Sequence, residues 1–316
     1  MYRTQYNRSQ SKATLGNTMP TSQATTLIDA LNDTFGSHSG VRASHAKGIN
    51  VRGSFSPAVE TGEIVVPALQ HPQPLTARFS IGGGKPGISD KSPTVRGMGL
   101  SIGTDKYSWR LAMISAPVFF ANSAEQFRAF LAARKPDPDI GGPDPERVKA
   151  FNANNPNTLP HQKHLAETAP CRCYTTERYH SGHAYRFGAK AAVFARLLLE
   201  PVSGRHGLTQ AEMGARSDSF LADQLEQTLG MGAARWDLKL IHANAQDNTQ
   251  DPTEPWSSPH SETLLGTIAI EAVSASGDDM VYDPAVLPEG VSAPTDAVFT
   301  LRSPAYSESY HRRAAS

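Results

Sequence analysis

RFSIGGGKPGISDKSPTVRGMGLSIGTDKYSWRLAMI, residues 78–114, carries the strongest strand signal in the chain. It opens on a short run rich in β-prone residues, Arg78 to Ile81, and closes on Trp109 to Ile114, where apolar side chains recur at every second position. Such alternation turns one face of an extended chain into a core and the other outward. Between the two runs lie Gly82, Gly83, Gly84, Pro86 and Gly87, the residues that interrupt strands. Glycines let a backbone approach a phosphate, but the spacing is neither GxxxxGK[ST] nor a GxGxxG that opens a helix. The run reads instead as a tight loop beside a bound ligand.

Outward from this stretch, strand signals recur at Ile64–Val66, Ala191–Leu199, Trp236–Ala243 and Thr267–Val273. Many strands punctuated by Gly and Pro predict a large antiparallel sheet or barrel. Helical signals are fewer. Leu27, Leu31 and Phe35, closed by Gly36, predict a helix from Ser22; Ser123 with Gln126 forms a capping box before Phe127; and Phe220–Leu229 runs to Gly230. Lys135–Pro145 is a Pro/Gly/Asp loop. The expectation is an α+β fold with residues 1–21 as an N-terminal arm and 22–316 as one large domain.

Hydrophobic residues at 39% and charged residues at 19% suit a folded chain. The 30 basic and 30 acidic residues cancel, so the charge balance proposes no nucleic acid and no anionic membrane. Within the basic set, 20 Arg against 10 Lys points to an acidic small molecule bound by planar guanidinium forks. Two cysteines, Cys171 and Cys173, are too few for a disulfide scaffold and are not spaced as CxxC. With no leader-like start and no apolar run of about 18 residues, a cytoplasmic protein without a membrane span is expected, or a periplasmic one if the given start is incomplete.

Four clusters carry candidate chemistry. In VRASHAKG, Val41 to Gly48, His45 is a candidate base and Arg42 a partner for an acidic group, although a lone histidine is more often structural. Arg78-Phe79-Ser80 leads into Arg96-Gly97-Met98-Gly99. Phe119, Phe120 and Phe127 are more often core than cofactor wall unless a flat ligand needs one. In RSPAY, Arg302 to Tyr306, the two named residues share a helix face, so a guanidinium could meet the phenol oxygen. The spacing alone favours a packed tyrosine over a ligand. A fifth group, His161, His164, Cys171, Cys173, His180 and His183, has enough soft donors for zinc but matches no structural zinc module, and reads as surface histidines and thiols in a loop.

Taken in order, these clusters resemble the haem catalases. VRASHAKG is similar to the family's distal RxxHAKG, ARFS and VRGMG to its RFS and PRG segments, and PVFF with Phe127 to its aromatic wall. RSPAY with Ser309 and Arg313 is similar to the proximal RxxxYxx[TS]xxxR. Trp256–Ile270 and MVYDPAVLPEGV, Met280 to Val291, resemble the later barrel. The resemblance spans roughly residues 22 to 313 and implies an eight-stranded antiparallel β-barrel with helices in its long connections, holding haem b. It implies His45 as distal base, moving a proton between the two oxygens of peroxide, with Ser80 orienting its ring. Tyr306 would be the axial ligand to iron, its anionic oxygen stabilised by Arg302. Arg42, Arg78 and Arg313 would bind propionates, joined by Ser309, and Phe119, Phe120 and Phe127 would cover the porphyrin.

The departures from the family shape the expected activity. Ile114 stands where catalases carry an asparagine that helps hold peroxide. Losing that hydrogen bond costs on the order of 1.5 to 3 kcal/mol, or roughly 10- to 150-fold in rate, so disproportionation should be weak. Thr94 replaces the acidic residue of the entrance channel, and Gly82 replaces a neighbouring valine constriction, which implies a wider passage. The short ending after Tyr306 resembles the minimal catalase-related peroxidases. The expected reaction is reduction of hydrogen peroxide or an organic hydroperoxide at the expense of a small organic electron donor. Fatty-acid hydroperoxide rearrangement, as in allene oxide synthases, and a non-enzymatic haem-binding protein are the alternatives. Whether the chain is a homo-oligomer stays open.

Overall fold

Alternation in the strands becomes an inside and an outside. In β2 (Gln73–Ile81), Leu75, Ala77, Phe79 and Ile81 are at most 2% exposed and point into a shared interior. Met98, Leu100 and Ile102 of β3 (Arg96–Ile102) and Trp109, Leu111 and Met113 of β4 (Trp109–Ile114) do the same. The intervening residues therefore face outward. In the computed structural model, which describes residues 21–62, 64–104, 108–168, 170–188, 193–202, 207–256, 259–275 and 279–315, these strands belong to a closed barrel.

Eight antiparallel strands complete it: β1 (Gly48–Pro57), β2, β3, β4, β7 (Tyr179–His180), β9 (Val193–Pro201), β10 (Ala234–His242) and β11 (Glu262–Val273), which returns to β1. Closure removes the sheet edges that an open sheet of this size would expose. Short strands β8 (Tyr185–Phe187) and β12 (Val291–Ser292) extend from β9, and β5 (Pro136–Asp137) with β6 (Gly142–Pro143) forms a small hairpin inside the expected 135–145 loop. The interior holds a buried aromatic cluster in which Phe79 stacks on Tyr174 at 5.0 Å and meets Trp236 at 5.9 Å.

Helices occupy the connections: α1 (Ser22–Phe35), α2 (Ala124–Arg134), α3 (Pro145–Asn154), α4 (Leu159–Thr168), α5 (Gln210–Gly214), α6 (Phe220–Gly230) and α7 (Ala297–Ala314). α1 begins and ends where its sequence signals lie, with the Thr21 side chain as N-cap. Ser123 caps α2, but the capping box is only half formed. The Gln126 side chain accepts from Asn122 N–H, one residue before the cap. α1, α2 and α7 share a second apolar core of Leu27, Ile28, Leu31, Ala124, Leu131 and Leu301. This three-helix layer has a core separate from that of the barrel.

Two expectations need correction. Ile64–Val66 forms no strand; Pro67, which follows at once, has no N–H for a ladder and opens a 3-10 turn over Pro67–Leu69. β1 and β3 go unforeseen, because Gly48, Gly53, Gly97 and Gly99 dilute their apolar pattern. The expected arm, residues 1–21, lies outside the described residues except for Thr21, as do Ala191 and Ala192 of the expected strand Ala191–Leu199.

Candidate active site

The register of the barrel sets up the first half of the site. Gly48, Ser80, Gly97, Ile114 and His180 stand opposite one another across five successive strands, and so share the outer face. His45 lies on this row. Its Nδ1 is 3.0 Å from Ser80 Oγ. A β-carbon at Gly97 would sit 2.6 Å from Ser80 Oγ and 2.7 Å from His45 Nδ1, so only glycine lets the imidazole lie against the sheet. His45 is the sole non-glycine among the described residues with positive φ, at 53°, a conformation costing roughly 1–2 kcal/mol. Arg78 holds it there: Nη1 donates to His45 O at 2.9 Å and Nη2 to Ala46 O at 2.8 Å.

Burial, followed by the charges of Arg78, Arg302 and Arg96, lowers the His45 pKa to about 4. The residue is half-buried. It is neutral near pH 7. With Nδ1–H donated to Ser80, Nε2 is a free proton acceptor.

α7 supplies the second half. Asp296 caps its start by accepting from Phe299 N–H at 2.8 Å, and Pro304 inside it removes one backbone donor a half-turn before Tyr306. Arg302 Nη2 donates to Tyr306 Oη at 3.1 Å and reaches Ala112 O on β4 at 3.3 Å. This ties the helix to the outer face, one row from Gly97 and Ile114. Burial works against the Arg302 charge, but the oxygens of Tyr306 and Tyr185 outweigh it and raise its pKa. Tyr306 is half-buried, with its oxygen held by the Arg302 guanidinium.

Phe119, Phe120 and Phe127 form one wall. Phe119 and Phe120 stack at 4.5 Å, and Phe127 meets Phe120 edge-on at 4.6 Å. All three are only partly buried, unlike core aromatics. At the surface, a cleft between α1 and the end of α7 is lined by Ile28, Asn32, Arg42, Ser309, Arg312 and Arg313. Ala43 N–H donates to Ser309 Oγ at 3.3 Å, linking the His45 loop to α7. Arg42 donates to Met280 O at 2.8 Å, while Arg78 points to the His45 backbone rather than into the cleft. Where a β-carbon at Gly82 would be, Thr94 Oγ1 lies 2.6 Å away and Val95 Cγ2 2.8 Å away.

The fifth cluster is not a surface group. His161 is 3% exposed on α4, and Cys171 and Cys173 are buried. Among the described residues no three His, Cys, Asp or Glu side chains are grouped to hold a metal ion. One member belongs elsewhere. His183 Nδ1–H donates to Asp296 at 2.9 Å, with both side chains buried. Burial lowers the His183 pKa against the pull of Asp296, and Asp296 is held below its usual range by His183 despite its own burial. The pair is a neutral imidazole and a carboxylate, set at the start of the helix that carries Tyr306.

The catalase family model matches residues 3–316. The chain belongs to the catalase family. Two relatives are named catalase-related peroxidase. That of Synechococcus elongatus is 31% identical over 296 residues, covering 91% of this chain and 87% of its own. That of Mycolicibacterium paratuberculosis is 30% identical over 298 residues, covering 90% and 93%. Among solved structures, a fungal catalase aligns with a TM-score of 0.77 at 18% identity, over 98% of this chain and 67% of that one. Catalase A from Saccharomyces cerevisiae aligns at 0.74 and 20% identity, over 86% and 61%. At such identities the likeness shows the fold alone, and this catalase-family chain spans about two thirds of those structures' length. Among its described residues no helix is long and apolar enough to cross a membrane.

Sequence reading missed the His183–Asp296 pair in this catalase-family chain. The two residues are 113 positions apart, and nothing local announces their contact.

Proposed function

We propose that this chain is a haem-dependent peroxidase that reduces hydrogen peroxide or an organic hydroperoxide while oxidising a small organic donor, with weak disproportionation. One set of contacts carries the reading: Ser80 orients His45 on the outer face of the barrel, and Arg302, whose charge reaches His45, bonds both Tyr306 and Ala112 O of β4. The chemistry of the residues fits haem b. Partly buried phenylalanines offer a flat apolar wall, Tyr306 Oη is an oxygen donor of the kind that ligates haem iron, and the Arg-rich cleft suits two carboxylates. Bound there, haem supplies the redox chemistry of peroxide reduction.

The protein's own residues do the rest. His45 Nε2 accepts the proton of an incoming peroxide and returns it to the departing oxygen, while Ser80 keeps the proton on Nδ1 and the ring in place. Arg302 holds the Tyr306 oxygen in place through its N–H bond. Arg42 and Arg313, with Ser309, bind the carboxylates; Arg78 serves mainly by holding the His45 backbone. Ile114, beside Gly97 on the row beneath His45, offers peroxide no hydrogen bond, which supports donor oxidation over disproportionation.

Absorption spectra of the haem-loaded protein, with parallel assays of donor oxidation and oxygen evolution, test the proposal. A phenolate-ligated haem spectrum with donor oxidation well above oxygen evolution is expected. Failure to take up haem, or vigorous oxygen evolution with negligible donor turnover, would overturn it.

A further inference from the structure

The HxxH of α4, His161 and His164, has no part in the chemistry above, yet both imidazoles are engaged. Three positions apart, they share one helix face. That face lies against residues 115–118, the link that leaves β4 after Ile114 and leads to Phe119 and Phe120. His161 Nδ1–H donates to Val118 O at 2.8 Å, and His164 Nε2–H donates to Ser115 O at 2.9 Å. The His161 ring also meets Phe120 edge-on at 5.6 Å.

This link lies outside the barrel ladder, and Pro117 within it has no N–H to anchor it. Its own amides are fixed at both ends, Ser115 N–H to Arg96 O at 2.8 Å and Phe119 N–H to Pro252 O at 2.8 Å. The histidines take the carbonyls in between. A buried carbonyl without a donor is costly, and a segment with no element of its own has only side chains to supply one. The two bonds use different ring nitrogens, so each histidine meets its carbonyl in one geometry only.

We propose that His161 and His164 are positioning residues that pin the 115–118 link, and through it set the place of Ile114 and the Phe119–Phe120 wall on the His45 side of the site. The effect on catalysis rests on the haem peroxidase reading; the pinning itself does not.

The use of different nitrogens makes the proposal testable by crossed replacement. An asparagine amide can stand in for Nδ1–H and a glutamine amide for Nε2–H. His161→Asn and His164→Gln should therefore behave as wild type, whereas His161→Gln and His164→Asn should not. Amide hydrogen exchange on the chain without haem reads this directly. The exchanged pair should accelerate Ser115 and Phe119 roughly tenfold or more, with the β9–β11 amides unchanged as a control for folding. In the haem-loaded protein the same two variants should raise KM for a bulky hydroperoxide more than they lower kcat. If all four variants match wild type in exchange, or all four accelerate alike, the histidines merely fill space and the proposal fails. Absence of a haem spectrum in the wild type would defeat the peroxidase reading while leaving the exchange result to stand.

Discussion

A histidine in a left-handed backbone conformation, clamped by an arginine on its own carbonyl, is costly for the fold, and strain of this kind clusters at functional sites. His45→Ala should lower peroxide-dependent donor oxidation roughly 100-fold or more with haem retained, as steady-state kinetics and the Soret band will show. Because burial and three arginines hold the His45 pKa to about 4, the base form prevails at higher pH. kcat/KM should stay level from pH 5 to 8 and fall as pH drops through about 4. An inflection near the ordinary value of 6.5 would contradict the assignment. Ile114→Asn places an amide on the same row and should raise oxygen evolution by roughly 10- to 150-fold, measured with an oxygen electrode. No gain would mean that Ile114 is not what limits disproportionation.

At the level of elements, a strand and a helix each present one residue where nothing else would serve. β3 does so through Gly97, over which the His45 ring and Ser80 hydroxyl meet. Gly97→Ala would force both apart. The expected result is a loss of roughly 1–3 kcal/mol in stability by chemical denaturation, together with a fall in turnover at near-normal haem content. Wild-type turnover would mean the contact is looser than the geometry indicates. α7 joins Asp296, Arg302 and Tyr306 on one rod, so the His183 partner at its start and the phenol oxygen in its middle move together. The RSPAY motif was legible because a helix converts a spacing of four into a shared face. β3 was not legible, because Gly97, which makes room for His45, and Gly99, which makes room for Tyr282, weaken a strand pattern.

For the whole molecule, acid stability follows from three enclosed histidines. The folded chain holds His45 and His161 near 4 and His180 near 3, with burial as the leading cause, against 6.5 for the unfolded chain. Between pH 6.5 and 4 the unfolded state therefore binds more protons, and stability falls as pH falls through that window. Near pH 5 the three together give a slope of about 4 kcal/mol per pH unit in the haem-free chain. Urea midpoints measured from pH 7 to 4.5 will check this, and a flat profile would rule it out. The sequence by itself determined the strand-rich class, α1, α2 and α6, the His45 and Tyr306 motifs and the arginine surplus, because each rests on local spacing or composition. Only the tertiary structure decided the rest. Strand register brought Ser80, Gly97 and Ile114 onto one row, Arg78 turned to the His45 backbone, Thr94 and Val95 filled the space at Gly82, and His183 met Asp296. These are contacts between residues far apart in the chain, fixed by register and packing, and spacing along a sequence carries no record of them.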